Sequence, residues 1–322
     1  MLVLLNSKIG ILLINLGTPD TPAVADVRKY LNEFLSDPRV IELPLILRWL
    51  LLKVIILPFR SKKSAAAYNA IWQDGGSPLL INSIAMKTQL QILLGSQYKV
   101  ALGMRYGSPN IASAITELER EGLTQISIVP LFPQYASAVS GSALQEAIQI
   151  YAKNKIITPF KIISEFFDHP EYIKSLANSI QPYLHDNHEF LLMSYHGLPE
   201  HQLINPGISC YRTKCLQTSN LLATALGLPA TKWGASFQSR LGKLPWIKPY
   251  TDEVLIELRE RGINNLLVCC PSFTVDCLET LEEIGIRAKK QWQQLGGAKL
   301  ELIPCLNDHP DWINALKIIA LH

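Results

Sequence analysis

A histidine in a tight turn is one of two places in this sequence whose residue types suit proton transfer or metal binding. His196 lies in the run SYHGLP, directly after an apolar stretch that is typical of a buried strand. A neutral imidazole at such a position can accept a proton near neutral pH or bind a borderline divalent metal. A lone histidine is as often structural, so this residue by itself leaves both interpretations open.

The second place is an acidic run near the C-terminus. Asp276, Glu279 and Glu283 are spaced i, i+3 and i+7, which predicts one acidic stripe if an α-helix opens at Asp276. N-capping explains Asp276 and in part Glu279, but it explains Glu283 less well. Three acids on one face repel each other unless a cation or a proton lies among them. We expect the turn before Asp276 to direct this face toward the cleft that holds His196, so the two places together suit a divalent cation and proton transfer.

The elements that position these residues follow from alternating apolar runs and amphipathic stretches, the pattern of βαβ units with a mostly parallel sheet. The predicted strands are Ile9–Asn15, Lys99–Gly103, Gln125–Leu131, Phe190–Ser194, Lys232–Phe237 and Asn265–Cys270. The predicted helices are Ala23–Leu35 after Asp20 or Thr21, Ile111–Glu121 after Ser108-Pro109, Glu253–Arg261 after Thr251-Asp252, and a run from Asp276 to about Leu295.

An internal similarity indicates two lobes. Residues 11–19 can be laid over 191–199 at an offset of 180, which pairs two Gly-x-Pro turns, and residues 115–129 lie over 255–269 at an offset of 140. Chance similarity between generic βα units is the alternative. If the repeat is genuine, each turn follows a first strand at the edge where open α/β sheets bind ligands.

Composition excludes several classes of protein. The 322 residues are 48% hydrophobic and 18% charged, which excludes a disordered or fibrous chain. Thirty basic and 27 acidic residues leave a net charge of +3, so we expect no nucleic-acid partner. No Gly-x-Gly-x-x-Gly, P-loop, HExxH or GxSxG motif occurs, which argues against nucleotide cofactors, zincins and α/β hydrolases.

The cysteines point to a reducing compartment. All six lie between Cys210 and Cys305 and form no CxxC pair, unlike a disulfide scaffold or a structural zinc site. The apolar N-terminus lacks the basic leader and cleavage site of a signal peptide. We therefore expect a cytoplasmic protein.

One segment is unusually apolar for such a protein. Residues Leu43–Phe59 read LPLILRWLLLKVIILPF, with two charges inside and prolines near both ends. This is shorter and more charged than a membrane-spanning helix, which needs about 20 mostly apolar residues. Two interpretations remain: a buried helix, or a segment at a membrane surface with Trp49 at headgroup depth and Arg60, Lys62 and Lys63 facing anionic lipid.

Eight blocks of sequence, in one order, resemble the ferrochelatases, enzymes that insert ferrous iron into a porphyrin. The blocks are NLGTPDTP (15–22), LPLILRWLLLKVIILPFR (43–60), DGGSPLL (74–80), MRYGSP (104–109), PLFPQY (130–135), SYHGLP (194–199), FQSRLGKLPWIKPYTDE (237–253) and CPSFTVDCLETLEEI (270–284). The resemblance implies an α/β fold of two Rossmann-like, chelatase-like lobes, each a parallel sheet flanked by helices, with the active-site cleft between them. It divides the chain into an N-terminal lobe (1–165) with an apolar lip (43–60), a C-terminal lobe (166–307) and a C-terminal helix (308–322) packing back on the first lobe.

The resemblance also assigns roles to individual residues. His196 resembles the family's iron ligand or proton-accepting base, and the choice between these stays open. Glu279 resembles the carboxylate opposite it, also a metal ligand, and Asp276 and Glu283 extend an acidic path. The expected porphyrin-binding residues are Arg105, Tyr106, Leu16, Tyr135, Trp246 and Tyr68.

The implied reaction is insertion of Fe²⁺ into protoporphyrin IX with release of two protons, the last step of heme biosynthesis. Leu16 stands where the coproporphyrin-using branch carries a tyrosine, which favours protoporphyrin. The alternatives are a non-catalytic porphyrin or metal carrier of this fold, and a chelatase for another tetrapyrrole such as coproporphyrin III.

Three further expectations come from the resemblance. No iron–sulfur cluster is expected, because Ser137 stands where a cluster ligand of the animal enzymes would be and the sequence ends at His322 without their cysteine-bearing extension. The expected partners are the two substrates and a membrane surface touched by residues 43–63, with a monomer expected and an oligomer left open. The family's Gly-Asp-Pro-Tyr is replaced by a different loop at residues 206–211.

Overall fold

The computed structural model describes residues 8–153, 157–184, 187–203, 210–242 and 244–322. The divergent loop at 206–211 therefore lies mostly outside the described residues. The chain divides into two compact units. Unit 1 comprises Met1–Glu165 and Leu316–His322, and unit 2 comprises Phe166–Ala315. The expected packing of residues 308–322 on the N-terminal lobe stays a prediction.

Unit 1 is built on a parallel sheet whose strand order is β2-β1-β3-β4. The strands are β1 (Ile9–Gly17), β2 (Tyr98–Tyr106), β3 (Gln125–Pro130) and β4 (Phe160–Ile162). The helices are α1 (Val24–Leu35), α2 (Leu45–Leu50), α3 (Leu57–Ile71), α4 (Pro78–Leu94), α5 (Ile111–Glu119) and α6 (Ser142–Tyr151), with π-helical turns at Leu51–Ile56 and Ser137–Gly141. Apolar side chains of β1 and β3 pack against α5 and α6 to form a core, which holds the polar carboxyl ends of the strands in fixed register.

Unit 2 repeats this plan with the strand order β6-β5-β7-β8, again all parallel. The strands are β5 (Phe190–His196), β6 (Trp233–Gln238), β7 (Asn265–Cys269) and β8 (Lys299–Leu302). The helices are α7 (Pro170–Ile180), α8 (Tyr211–Ala225), α9 (Thr251–Glu260) and α10 (Lys289–Gln294), and an eleven-residue π-helix, Leu278–Ala288, leads directly into α10. The last helix, α11 (Pro310–Leu321), begins in unit 2, and its residues from Leu316 onward belong to unit 1. The prediction of an α/β fold with two parallel sheets flanked by helices is confirmed.

The two Gly-x-Pro turns share one physical cause. A Cβ on Gly17 would overlap the carbonyl oxygen of Tyr106 at the end of β2. A Cβ on Gly197 would lie 2.7 Å from the carbonyl oxygen of Gln238 at the end of β6. Gly17, the last residue of β1, and Gly197, the residue after β5, therefore have to be glycine, because the neighbouring strand's backbone passes too close for a side chain.

The loops after the second strands also correspond. The N–H of Met104 donates to the Pro109 carbonyl at 2.6 Å, and the N–H of Phe237 donates to the Pro249 carbonyl at 2.8 Å. Each loop thus folds back on its own strand just before the following helix. The internal similarity in the sequence thus coincides with a shared topology of the two units.

Some local predictions need correction. The predicted strands formed, but β4 and β8 were missed because each is a short edge strand, three and four residues long, with little of the buried apolar pattern. The predicted cap by Asp20 or Thr21 is wrong, since α1 is preceded by Ala23 with no side-chain cap. The α5 cap is Asn110, whose side chain accepts from the N–H of Ser113 at 2.8 Å.

The apolar lip (43–60) is helical and largely exposed. α2, the π-helical turn and α3 follow one another without a break, and Pro58 lies in the first turn of α3 rather than ending the helix. Pro58 lacks an N–H, and the preceding turn has already shifted to the wider π pattern, in which the N–H of Leu57 donates to the Leu52 carbonyl. The exposed apolar side chains of this segment are Leu43, Leu45, Ile46, Leu47, Trp49, Leu50, Val54, Ile55 and Phe59.

The buried-helix interpretation of this segment is therefore wrong. Phe59 is 79% exposed, and only one charged side chain of the segment is buried. That side chain is Arg48, whose guanidinium donates to the carbonyls of Ile41 and Leu43, at 3.3 and 2.9 Å. None of the described helices combines the length and the apolar character that crossing a bilayer requires.

Candidate active site

His196 ends strand β5 with its imidazole fixed by the backbone. Its Nδ1 lies 2.6 Å from the Gly197 carbonyl oxygen, which can only accept a hydrogen bond. The proton of the neutral ring is therefore on Nδ1, and the lone pair is on Nε2. The N–H of His196 donates to Ser272 Oγ at 3.0 Å, and its carbonyl accepts from the Tyr211 hydroxyl at 2.9 Å. These contacts hold the residue while leaving one ring nitrogen able to take a proton or a metal.

Gln238 connects the histidine strand to the acidic helix. It is the cross-strand partner of His196 in the β5–β6 ladder and is 3% exposed. Its Oε1 accepts from Ser194 Oγ at 2.7 Å, which orients the amide so that Nε2 faces the π-helix. Nε2 donates to the Glu279 carbonyl oxygen at 2.7 Å and lies 3.5 Å from Glu283 Oε2. This single side chain therefore sets the spacing between the imidazole strand and the carboxylates.

Glu283 is held by the residue after Gln238. Its carboxylate accepts from the N–H of Ser239 at 2.8 Å and from the Ser239 hydroxyl at 2.6 Å. Ser239 has a φ of +67°, so its backbone adopts the left-handed conformation that presents both donors to the same carboxylate. Glu279 is partly exposed, in the first turn of the π-helix. Hydrogen bonds from Gln238 and Ser239 thus connect the acidic run to the β5–β6 ladder within unit 2, and the expectation that the acids face the cleft of His196 stays a prediction.

The predicted α-helical stripe is wrong in its geometry. Asp276 lies before the N-cap, Cys277, and the segment that follows is π-helical rather than α-helical. The i, i+3, i+7 spacing therefore does not place the three acids in one row. The Asp276 carboxylate is buried and accepts from Asn307 Nδ2 at 2.7 Å, Thr280 Oγ1 at 3.0 Å and the N–H of Cys305 at 3.3 Å. The contacts with Asn307 and Cys305 tie the start of the π-helix to the segment after β8, and the contact with Thr280 braces the first turn of that helix.

Replacing Asp276 with asparagine should separate a scaffold role from a catalytic one. The amide would place its NH₂ group against either the Asn307 donor or the Thr280 and Cys305 donors, so we expect the free energy of unfolding to fall by about 2 kcal/mol. Thermal melting checks this. If Asp276 acts only through the scaffold, turnover per folded molecule stays within about threefold of wild type. A loss of 100-fold at unchanged melting temperature would instead support the predicted proton path.

Trp246 lies beside the histidine turn. Its ring carbon Cε3 is 3.3 Å from the position a Cβ on Gly197 would take, and its backbone pairs with Pro199. Its indole N–H donates to the Leu241 carbonyl at 2.9 Å, which fixes the ring. Of the predicted porphyrin-binding residues, the structure places this one next to His196.

The other predicted porphyrin-binding residues belong to unit 1, where two of them join a buried network. The carboxylate oxygen Oδ2 of Asp37 accepts from Arg105 Nη2 at 2.9 Å, the Tyr106 hydroxyl at 2.8 Å and Ser142 Oγ at 2.5 Å. Oδ1 accepts from the N–H of Arg39 at 2.7 Å. Arg105 keeps 18% of its side chain exposed, whereas Tyr106 is almost completely buried. Their roles toward a porphyrin stay predictions.

The three remaining residues of this set are spread over unit 1. Leu16 is partly exposed near the end of β1, and its N–H donates to Asn15 Oδ1 at 2.8 Å. Tyr135 is partly exposed after β3. Tyr68 is buried in α3, between the rings of Tyr30 and Trp72. Packing within the unit accounts for the position of Tyr68.

The charge on Asp37 makes the stability of unit 1 depend on pH. Burial raises the pKa of Asp37, but hydrogen bonds from Ser142, Arg39 and Tyr106 and the charge of Arg105 outweigh it, so the pKa is lowered from its usual 3.8. A carboxyl whose folded pKa is depressed stabilises the fold above its unfolded pKa. That stability is lost as the pH falls through the folded pKa.

Asp37→Asn is therefore expected to lower the free energy of unfolding by about 3 kcal/mol at pH 7, the cost of breaking a buried ion pair from one side. The difference from wild type should shrink as the pH falls below about 4. Thermal melting at pH 7 and pH 3.5 tests this, with the exposed Asp20→Asn as the matched control that leaves the melting temperature unchanged. A difference that stays constant between the two pH values would contradict the account.

The cysteines are free thiols in unit 2, with Cys305 partly exposed and the others buried. Burial raises the pKa of the Cys269 thiol to about 12, and the same cause raises the pKa of Cys270, Cys277 and Cys305. Such thiols stay protonated at neutral pH and are poor metal ligands. Across the described ranges no group of three or more His, Cys, Asp or Glu side chains is arranged to enclose a metal ion.

Comparison with known proteins assigns the family. The sequence profile of the ferrochelatases, described as "Ferrochelatase", matches residues 8–322 of this chain. The chain belongs to the ferrochelatase family. A ferrochelatase from Legionella pneumophila (strain Lens) is 51% identical over 327 aligned residues, covering 97% of this chain and 98% of that protein. One from Coxiella burnetii (strain Dugway) is 48% identical over 335 aligned residues, covering 98% and 94%.

Solved structures support the fold of this ferrochelatase-family chain. The sirohydrochlorin chelatase SirB of Bacillus subtilis subspecies spizizenii, in complex with cobalt, has a TM-score of 0.58 at 13% identity. The match covers 98% of this chain and 94% of that one. SirB from Bacillus subtilis with Fe³⁺ has a TM-score of 0.57, also at 13% identity, covering 97% and 96%. At this identity the likeness concerns the fold alone, which agrees with the two parallel sheets.

Sequence reasoning missed the residues that connect the site. Gln238 and Ser239 stand inside the block FQSRLGKLPWIKPYTDE, but neither residue type signals chemistry by itself. Their importance follows from the pairing of β5 with β6, which places Gln238 beside His196. Gln238 and Ser239 could have been identified from the sequence only by predicting which residues of β5 and β6 pair.

Proposed function

We propose that this chain is a ferrochelatase that inserts Fe²⁺ into protoporphyrin IX, with two protons released for each heme formed. The observation that carries the proposal is the imidazole of His196, whose Nδ1 is engaged by the backbone and whose strand is connected through Gln238 to Glu279 and Glu283. Membership of the ferrochelatase family gives this arrangement its substrate class.

The reaction exchanges two protons for one dication, so charge is conserved. Both pyrrole N–H bonds break, and the four ring nitrogens bind the iron. A base is needed for the protons, and acidic groups are needed to carry them away. The Nε2 lone pair of His196 suits either the base or a transient ligand of the incoming iron. Glu279 and Glu283 supply carboxylates within the same unit.

A substrate ion does not require the closed set of ligands that holds a resident metal. A site that binds iron tightly would retard its transfer to the porphyrin nitrogens. Few protein ligands around His196 and Glu279 are consistent with a metal that passes through. We propose that no iron–sulfur cluster is required. Ser137, which stands where the animal enzymes are expected to carry a cluster ligand, accepts a hydrogen bond from Arg39 at 2.7 Å.

We propose that the apolar lip touches a membrane surface, from which an apolar porphyrin can be taken up. Its exposed side chains form a continuous run along α2 and the following π-helical turn, including Trp49 and Ile55. Amphipathic surfaces of this kind bury their apolar side at the boundary between headgroups and acyl chains. This makes the protein peripheral to the membrane and cytoplasmic.

The experiment that tests the function is anaerobic turnover with ferrous iron, using protoporphyrin IX and coproporphyrin III in parallel. Loss of porphyrin fluorescence and growth of metalloporphyrin absorbance report insertion. We expect protoporphyrin IX to be the better substrate, as Leu16 indicates, and Leu16→Tyr to narrow the difference. Binding of porphyrin without insertion would establish the carrier alternative. A preference for coproporphyrin III would contradict the choice of substrate but not the reaction.

A further inference from the structure

A groove in unit 1, apart from the residues assigned to the reaction, carries unpaired positive charge. It has a volume of about 440 Å³, which is in the range of small-ligand sites. α1 contributes one face, with residues at i, i+3, i+4 and i+7, and the lip segment contributes the other. The lining residues are Ala25, Arg28, Lys29, Asn32, Lys53, Leu57 and Pro58.

The lining includes three cations and no acid. Lys29 is neutralised by Asp20 at 2.8 Å. Within the part of the chain that the structure describes, the side chains of Arg28 and Lys53 form no hydrogen bond and no ion pair. Two further acids of α1 lie nearby: Asp26 accepts from the Thr21 hydroxyl at 2.5 Å, and Glu33 accepts from the N–H of Gly107 at 3.1 Å. The hydrogen bond and the charge of Asp20, together with the charges of these two acids, raise the pKa of Lys29. The groove lining itself therefore presents two cationic side chains, Arg28 and Lys53, that no described carboxylate contacts.

The groove also borders apolar surface. Lys53 is flanked along the lip by Leu50 and Val54, which are 45% and 61% exposed, and Phe59 follows Pro58. A ligand that satisfies both surfaces is an anionic head joined to an apolar tail. A guanidinium, an ammonium and the neutral amide of Asn32 are donors that suit phosphate oxygens.

We propose that this groove binds the phosphodiester headgroup of an anionic phospholipid, with the acyl chains along the exposed apolar side chains of the lip. The inference rests on the proposed membrane contact and adds a discrete headgroup site to it. Such a site would fix the orientation of unit 1 at the membrane, because it gives the lip one point of specific attachment in addition to general apolar contact.

The experiment measures binding of monomeric dihexanoyl phosphatidylglycerol, below the concentration at which it aggregates, by calorimetry on the full chain. We expect one lipid per chain. Arg28→Gln combined with Lys53→Gln should weaken binding about 30-fold, since each basic residue near an anionic lipid contributes about 1 kcal/mol. Two control variants remove equal charge outside the groove: Lys62→Gln with Lys63→Gln, in α3, and Lys289→Gln with Lys290→Gln, in unit 2. Each should weaken lipid binding less than twofold.

Two comparison ligands identify the source of the phosphate. Dihexanoyl phosphatidylcholine should bind at least tenfold more weakly, and inorganic phosphate at least tenfold more weakly. Equal binding of inorganic phosphate would mean a free-anion site and would overturn the lipid assignment. If all three double variants weaken lipid binding equally, the lipid is attracted by the overall positive charge of the protein, and the proposal of a discrete site is wrong.

Vesicles separate this inference from the membrane proposal. Leu47→Asp with Ile55→Asp should abolish binding to neutral phosphatidylcholine vesicles if the lip touches the membrane. The groove variant should lose only the added affinity that phosphatidylglycerol gives. If the lip variant binds neutral vesicles as tightly as wild type does, the proposed membrane contact is wrong. If the groove variant gains as much affinity from phosphatidylglycerol as wild type does, only the proposed headgroup site is wrong.

Discussion

His196→Ala is expected to lower kcat for iron insertion by about 1,000-fold, while the KM for porphyrin changes less than threefold. The backbone engages Nδ1 of His196, which leaves the Nε2 lone pair to accept a proton, and removal of a positioned base costs about 10²–10⁴ in rate. A single imidazole offers little contact area to a porphyrin, so binding should persist. Anaerobic initial rates over a range of porphyrin concentrations measure both constants.

The control for this variant is His201→Ala, an exposed histidine in the short turn after SYHGLP. It should remain within twofold of wild type. A His196 variant that keeps a tenth or more of the wild-type kcat would remove this residue from the mechanism. A fall confined to KM would make it a binding residue instead.

The two roles left open for His196 predict different behaviour of this variant. If the imidazole is the base, added imidazole or higher pH should restore part of the rate for any metal. If it is an iron ligand, the loss should depend on the metal, and rates with Zn²⁺ and Fe²⁺ should fall by different factors. Rates of the variant with both metals between pH 6 and pH 9 distinguish these outcomes.

Gln238→Glu is expected to lower kcat about 30-fold at pH 8. The substitution keeps the size of the side chain but replaces the N–H donor with an acceptor that faces the Glu279 carbonyl and the Glu283 carboxylate. Leaving such buried acceptors unpaired costs about 1–3 kcal/mol, and the added charge increases the penalty. The deficit should shrink as the pH falls, because protonation of the new carboxyl restores one donor.

Gln238→Met is the matched control, because it removes the donor without adding charge. We expect it to lose about tenfold, with no dependence of the ratio on pH beyond that of wild type. The pH profiles of kcat for the three proteins measure this. Wild-type kcat in the glutamate variant at pH 8 would show that the connection between β6 and the π-helix does not position the carboxylates.

The sequence predicts those parts of this structure that a local pattern of residue types determines. Apolar runs such as Phe190–Ser194 identified the strands, because a central parallel strand is buried on both faces. The edge strands β4 and β8 lack that burial and escaped prediction. Repeated turn glycines indicated two similar units, because the backbone approach that excludes a side chain recurs in each.

The sequence supplied candidate site residues, whose roles stay predictions, but it did not predict the geometry around them. His196 and Glu279 were identified from position and from resemblance to the family. The π-helical period of Leu278–Ala288 was not predicted, because three acidic residues spaced i, i+3 and i+7 do not distinguish an α-helix from a π-helix. The burial of Asp276 against Asn307 depends on residues 31 positions apart. No local sequence pattern predicts that contact. The same holds for the Gln238 amide, which bonds to β5 on one side and to the π-helix on the other.

The most direct test of the central claim is a single-turnover experiment under anaerobic conditions. Wild type and His196→Ala are loaded with one equivalent of protoporphyrin IX and mixed rapidly with ferrous iron, and protoheme absorbance and proton release are followed together. The account predicts that wild type converts the bound porphyrin with two protons released per heme, and that the variant holds its porphyrin without metal. Equal rates in the two proteins, or a wild type that binds porphyrin and never inserts iron, would contradict it.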